Sequence, residues 1–428
     1  MRATRVGLIG LGTVGGGVVE ILKKHGEDFE RRAGVKLALA KVADRNADRF
    51  EAYGLDPAIC TTDAFEVVND PTIDVVIEVI GGTGVARDVV LGALNASKPV
   101  VTANKALMAT SGKEIFDLAE EEGVDIRFEA SVGGGIPIIG PLKHSLVGNE
   151  IMSVMGIVNG TTNYMLTRMT ENGLDYDTAL AEAQALGYAE ADPTADVDGH
   201  DAAAKIAILA SIAFNSRVTL SQVPAEGIRS LAPSDIEYAR EIGYAVKLLA
   251  IARRTSEGID IRVHPTMIRT SHPLAAVNGV YNAIYVVGDS VGETMFFGEG
   301  AGAGAAASAV VGDLIEVARS LDSGNEVVLC TCVDDLSVLP IGDLETRYYI
   351  RMSVADEAGV LAATATAFAN AGVSIESMLQ RAAAENRTAE LVYVTHKTRE
   401  SSIQDALTAM KAIPAVREIS ALDRVEDI

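Results

Sequence analysis

The chain has 428 residues, of which 59 are Asp or Glu and 36 Lys or Arg, giving a formal net charge of −23 at pH 7. So acidic a chain repels polyphosphate, which argues against nucleic acid as a partner, and no apolar run is long enough to cross a bilayer. The length accommodates about three domains with cores of their own. The opening MRATRVGLIG runs straight into a strand, which predicts no signal peptide and a cytoplasmic protein. Cys60, Cys330 and Cys332 form an odd set without a disulfide framework, and the C-x-C pair has no nearby histidine or cysteine to complete a zinc site, so free buried thiols are expected.

Strands are predicted at 6–9, 35–42, 75–80, 99–102 and 125–129, alternating with helices at 18–24, 86–95 and 113–122. That rhythm is a doubly wound parallel sheet over residues 1–131. The first strand leads into Gly10-x-Gly12-x-x-Gly15 and then a helix. Those glycines serve a tight turn, close backbone approach to a pyrophosphate and tight helix packing, so a dinucleotide is expected there. At the end of the second strand stand Asp44, able to bond a 2′-hydroxyl, and Arg45, able to receive a 2′-phosphate. Asp44 also lies farther from the glycine turn than the usual ~20 residues, so the choice between NAD and NADP stays open. EVIGG at 78–82 is either backbone passing close to the cofactor or a plain strand-ending turn. TANKALMA at 102–109 brings Lys105 to the same edge, as a solvated lysine or as a contact to substrate or nicotinamide.

From 132 to 320 the chain mixes strands (151–158, 259–265, 282–287) with helices, the pattern of an α+β domain. Its densest stretch is GYAEADPTADVDGHDAAAKIAILA at 187–210. Asp192, Asp196 and Asp198 sit among Pro193 and Gly199 in irregular chain, whereas 201–210 reads as a helix. Asp201 and Lys205 share one helical face at i,i+4 spacing. On a surface this would be an ordinary ion pair of about 0.3–0.5 kcal/mol. Ile206, Ile208, Leu209 and Ile212 make the helix apolar on several faces, however, which predicts burial and a lysine in need of partners. His200 is expected only to help pack the loop. A Gly/Ala-rich helix at 302–320 is expected to pack back on the first domain. A polar linker (321–346) then leads to a β-α-β-β-α-β unit at 347–428.

The blocks GLGTVG, EVIGG, TANKALMA, EASVGGGIPII, IVNGTTNYM, LGYAEADPTADVDGHDAAAKIAILA and GEGAGAGAAASAVVGDLIE, in this order, resemble homoserine dehydrogenase. RYYIRMSVADEAGVLAATATAFANAGVSIESMLQ resembles an ACT regulatory domain, with Ala358-Gly359 where such domains often carry Pro-Gly. The resemblance implies an N-terminal Rossmann-like domain, a central catalytic and dimerisation domain and a ferredoxin-like ACT domain. It implies reversible reduction of L-aspartate 4-semialdehyde to L-homoserine with NADP or NAD, toward threonine, methionine and isoleucine. Lys205 and Asp201 are then the catalytic pair, with Lys105 between substrate and nicotinamide. Glu190, Asp196 and Thr161 contact the substrate, and Thr13, Val14, Gly187 and Gly302 join the glycine turn at the cofactor. Glu129, Val132, Gly134 and Ile136 resemble a sodium loop of the family; a glycine-rich hinge accounts for them equally well. The ACT domain implies a regulatory amino acid such as threonine and a homodimer or homotetramer.

Two other functions differ in what they require. Aspartate semialdehyde dehydrogenase chemistry needs a nucleophilic cysteine in the central domain, and none stands between Cys60 and Cys330. A non-catalytic nucleotide and amino-acid sensor would have no need of Lys105, Asp201 and Lys205, all of which are present.

Overall fold

The computed structural model describes residues 2–323, 330–382 and 387–426. In chain order the first sheet is built from β1 (Thr4–Ile9), β2 (Leu37–Ala43), β3 (Cys60–Thr61), β4 (Val75–Glu78), β5 (Val100–Thr102) and β6 (Ile126–Arg127). The helices between them are α1 (Thr13–Ala33), α2 (Asp48–Ala52), α3 (Ala64–Val68), α4 (Val85–Asn95) and α5 (Lys105–Glu122). After β7 (Ile151–Ile157) come α6 (Gly160–Asn172), α7 (Tyr176–Ala185), α8 (Thr194–Val197), α9 (His200–Ala213) and α10 (Pro233–Glu241). The hairpins β8 (Tyr244–Arg254) with β9 (Ile259–Arg269) and β10 (Tyr281–Gly288) with β11 (Gly292–Glu299) precede α11 (Ala303–Ser323). The C-terminal part holds β12 (Glu345–Ala355), α12 (Val360–Asn370), β13 (Ile375–Ala382), β14 (Thr388–Thr395), β15 (Thr398–Arg399), α13 (Glu400–Lys411) and β16 (Val416–Glu426).

The chain divides into two compact units. The first comprises Met1–Val154, Ala204–Gln222 and Tyr281–Leu336. Its sheet is parallel in the order β3-β2-β1-β4-β5-β6, the doubly wound arrangement expected from the alternating pattern. Strands covered on both faces carry continuous apolar runs, and Val6, Leu8, Val75 and Ile77 are fully buried here. Val310, Val311, Leu314 and Val317 of α11 join the same core, so this helix packs back on the sheet. Gly17 permits the approach: a Cβ there would lie 2.7 Å from the Ala303 carbonyl oxygen.

The second unit comprises Met155–Ala203, Val223–Val280 and Ser337–Ile428. Its strands run in the order β8-β9-β16-β12-β14-β13. The βαββαβ segment has its own core of Tyr348, Ile350, Phe368, Tyr393, Ile403 and Met410. It belongs to the same compact unit as β8 and β9. Its last strand, β16, lies parallel to β9, with Arg424 opposite Thr266 and Glu426 opposite Ile268. Buried ions reinforce the seam. Glu426 is held by Arg262 and by Arg253 at 2.7 Å, and Arg424 reaches Glu226 at 2.8 Å and Glu400 at 2.9 Å. Within the expected linker, α11 continues to Ser323, residues 324–329 lie outside the described residues, and Val338 bridges Ile259.

Candidate active site and cofactor cleft

In the first unit, the turn from β1 into α1 borders a cleft of about 510 Å³. Gly10, Gly12, Asp44 and Arg45 line it, together with Arg49 and Thr62, which the sequence did not single out. Gly10 has φ 102°, and a Cβ on Gly15 would fall 1.9 Å from the Gly10 carbonyl oxygen, so both positions require glycine. Gly12 caps α1 without a side-chain hydrogen bond, and no acidic residue sits in the first turn. The helix therefore presents backbone N–H groups and its positive dipole end where a pyrophosphate would lie. A cleft of this volume, with a cradle that any Cβ would fill, fits a dinucleotide.

Asp44 serves the turn itself. Its carboxylate accepts from Leu11 N at 2.6 Å, Asn46 N at 2.8 Å and Arg49 Nη1 at 3.1 Å. Desolvation opposes ionisation, but these donors outweigh it and hold the carboxyl below its ordinary range. Glu78, fully buried, ties the next two loops together by accepting from Ile80 N at 2.8 Å, Gly81 N at 3.1 Å and Thr102 Oγ1 at 2.7 Å. Asn104 caps α5 through Leu107 N and donates to Gly82 O at 2.7 Å. EVIGG and TANK thus form one braced edge, and Lys105, half-buried, is the first residue of α5. Gly302, with φ 123°, is exposed just before α11. Among the described residues the cleft walls include neither Lys105 nor Gly302.

Glu129, also in this unit, accepts three backbone hydrogen bonds, from Ile138 N at 2.5 Å, Ile139 N at 2.8 Å and Gly140 N at 2.6 Å. A carboxylate offers about four lone-pair positions, so one remains for a cation. Gly134 (φ 56°) would place a Cβ 2.5 Å from the Gly300 carbonyl oxygen, which accounts for the glycine by packing alone. Among the described residues no group of three or more His, Cys, Asp or Glu side chains is placed to hold a metal.

In the second unit the acid-rich loop closes around Asn159, a residue that sequence reading quoted in its motif but gave no role. Asn159 caps α6 by accepting from Thr162 N at 2.9 Å. Its Nδ2 donates to Asp196 Oδ1 at 2.7 Å and to Asp201 Oδ2 at 3.0 Å, drawing the two carboxylates to one amide. Thr161 Oγ1 donates to the Tyr188 carbonyl at 2.7 Å, fixing the loop to the start of α6. Glu190 has an exposed side chain, and its carbonyl accepts from Gln184 Nε2 at 3.0 Å. Gly187 (φ 77°) follows α7 and is exposed. Along α9, Asp201 and Lys205 stand one turn apart, 6% and 8% exposed, and the helix is buried on all faces from 201 to 210, as its apolar pattern predicts. His200 is exposed, contrary to its expected packing role. The three cysteines are half-buried, not buried, because each lies in or beside a loop.

The family models for the NAD-binding domain of homoserine dehydrogenase, for homoserine dehydrogenase itself and for the ACT domain match residues 10–129, 137–315 and 348–415. The homoserine dehydrogenase of Synechocystis sp. is 48% identical over 98% of this chain and 99% of its own. The chain belongs to the homoserine dehydrogenase family. The Corynebacterium glutamicum homoserine dehydrogenase is 45% identical over 99% of this chain and 96% of its own length. The crystal structure of a homoserine dehydrogenase from Thiobacillus denitrificans covers 100% of this chain and 99% of its own, with a TM-score of 0.95 and 42% identity. An archaeal homoserine dehydrogenase solved in complex with NADPH covers 74% of this chain and 98% of its own, at 28% identity and a TM-score of 0.64. The chain is accordingly an NAD(P)-dependent homoserine dehydrogenase in activity, interconverting L-aspartate 4-semialdehyde and L-homoserine in amino-acid biosynthesis. No helix among the described residues is long and apolar enough to cross a membrane.

Proposed function

We propose that Lys205 is the proton donor of this reaction and that Asp201 positions it. A hydride reaching the aldehyde carbon leaves an alkoxide, which needs a proton from a donor within about 3 Å. The nicotinamide, when bound, supplies that hydride. Lys205 supplies the proton on reduction and takes it back on oxidation. Glu190 and Asp196 receive the substrate α-ammonium, Thr161 helps define that pocket, and Lys105 contacts substrate and nicotinamide. The observation that supports this reading best is the Asn159 bridge, which holds two carboxylates of the acid-rich loop on one amide at the head of a buried helix. Replacing Lys205 by alanine is expected to lower kcat by about 10²–10⁴-fold with cofactor binding nearly unchanged. A variant that keeps more than about a tenth of wild-type kcat at saturating substrate removes Lys205 from the role.

Of the two cofactors, NADP is the better match. Asp44 is engaged by the turn and by Arg49, whereas Arg45 borders the cleft, so the balance favours a 2′-phosphate. Arg45→Ala is expected to raise KM for NADPH about tenfold and leave that for NADH nearly unchanged; equal changes in both would assign Arg45 to another part of the dinucleotide. The cofactor turn is completed by Thr13, Val14, Gly187 and Gly302. Sodium is proposed at the Glu129 loop with carbonyls of Val132, Gly134 and Ile136, on the one remaining carboxylate position. The ACT domain is read as a feedback site for an end-product amino acid such as threonine, in a cytoplasmic homodimer or homotetramer.

A further inference from the structure

In the first unit a cavity of about 70 Å³ lies between α5, the end of α9 and the segment that carries Cys330 and Cys332. Its walls are apolar, with Met108, Phe116, Phe128 and Ile208 among them, but they also hold Lys113, Lys143 and Arg217. No Asp or Glu lines it among the described residues, although acids outnumber bases 59 to 36 in the chain. The positive charge converges on one sulfur. Arg217 Nη2 lies 3.4 Å from Cys330 Sγ, and the Cys332 backbone N–H donates to the same sulfur at 3.5 Å. Lys143 stands 5.8 Å from the centre of the Phe116 ring. Cys330 and Cys332 are both half-buried, so reagents can reach them.

We propose that Cys330 is a modification site, where the thiolate forms a mixed disulfide with small disulfides that carry carboxylates. Lys143 and Arg217 would hold those carboxylates while the apolar walls take the carbon skeleton; Lys113, at the rim, is paired with Asp117. In the step, the Cys330 thiolate attacks one sulfur of RS–SR. A new S–S bond forms to Cys330, the S–S bond of the reagent breaks, and RS⁻ leaves to be protonated by solvent. The Cys330 sulfur is oxidised and the departing sulfur reduced, so the reagent is the oxidant and no other is needed.

The electrostatics agree with the geometry. Hydrogen bonding from the Cys332 thiol lowers the Cys330 thiol most, desolvation opposes it, and the Cys332 N–H, Arg217 and Lys143 lower it further, to about 6. Cys332 is pushed up by the same pairing. Lys143 is itself lowered, first by desolvation and then by Arg127, while Asp125, Cys330 and Asp313 support its charge. A thiol of pKa near 6 is mostly thiolate at pH 7, where an ordinary cysteine near 8.5 is a few per cent ionised.

The test is stopped-flow reaction of the full-length protein with 5,5′-dithiobis(2-nitrobenzoate), a dianionic disulfide, following release of its coloured thiolate. A fast phase is expected, about tenfold faster at pH 7 than that of a free cysteine peptide, with a pH midpoint near 6. Cys330→Ser should abolish it and Cys60→Ser should not. The uncharged bis-amide of the reagent, and Arg217→Gln with the charged reagent, should each react several-fold more slowly. A fast phase that survives Cys330→Ser, a midpoint near 8.5, or equal rates for the charged and uncharged reagents would overturn the proposal.

Discussion

Asn159 does two things with one amide, and they can be separated. Its Oδ1 caps α6, while its Nδ2 bridges Asp196 and Asp201. Serine caps helices about as well as asparagine, but its hydroxyl is too short and has too few donors to span both carboxylates. Asn159→Ser is therefore expected to melt close to wild type while kcat/KM falls about tenfold or more, a loss of ~1.4 kcal/mol in transition-state stabilisation. An unchanged kcat/KM would make the bridge purely structural. The roles of Asn159, Glu78 and Asn104 were not legible in the sequence, because the partners that give them meaning stand far along the chain or act through backbone groups. The glycines were legible, since Gly10 and Gly15 are constrained by their own turn. Asp44 was legible as a position but not as a role, because its ties to Leu11 N and Asn46 N appear only once the loop is folded.

At the scale of elements, β16 carries three buried charged residues, Asp423, Arg424 and Glu426. Asp423, 7% exposed, is pushed up to about 7, first by desolvation and then by the nearby Asp235. A carboxyl with a raised folded pKa favours the folded state at low pH. That contribution is complete below its unfolded pKa near 3.9 and is lost as pH rises through about 7. Asp423→Asn removes the titration. The melting temperature of the variant relative to wild type is thus expected to improve between pH 5 and pH 8, by about 2–4 °C for each kcal/mol of relief. A difference that stays flat across this range would place the charge outside the low-dielectric interior. The alternating βα pattern and the buried α9 were readable element by element, because their periodicities are local. The parallel pairing of β16 with β9 was not, since a parallel neighbour leaves no turn or register signal in either strand.

At the scale of the molecule, the C-terminal segment is part of the unit that also contains β8, β9 and α10. A truncation after Thr346 would expose Thr266–Ile268 of β9 and leave Arg262, which is almost fully buried, with Asp260 but without Glu426. Stranding one partner of a buried pair typically costs about 3–5 kcal/mol, of which Asp260 offsets part, so the shortened chain is expected to be destabilised or insoluble in this unit. Circular dichroism and gel filtration of the shortened chain check this; a folded, active truncation would show that the seam is dispensable. The same seam bears on how the chain is made. A ribosome finishes β9 well before β16, about 150 residues later, which at roughly 5–20 residues per second is an interval of about 8–30 s. For that time β9 has β8 on one side, while on the other Val263 is tied to Pro224 and Glu226 and the N–H and C=O groups at Thr266–Ile268 are unpaired. Nascent chains on one messenger offer each other the same open edge, so the yield of soluble enzyme during rapid synthesis depends on how fast the last strand arrives and on what shields β9 until it does.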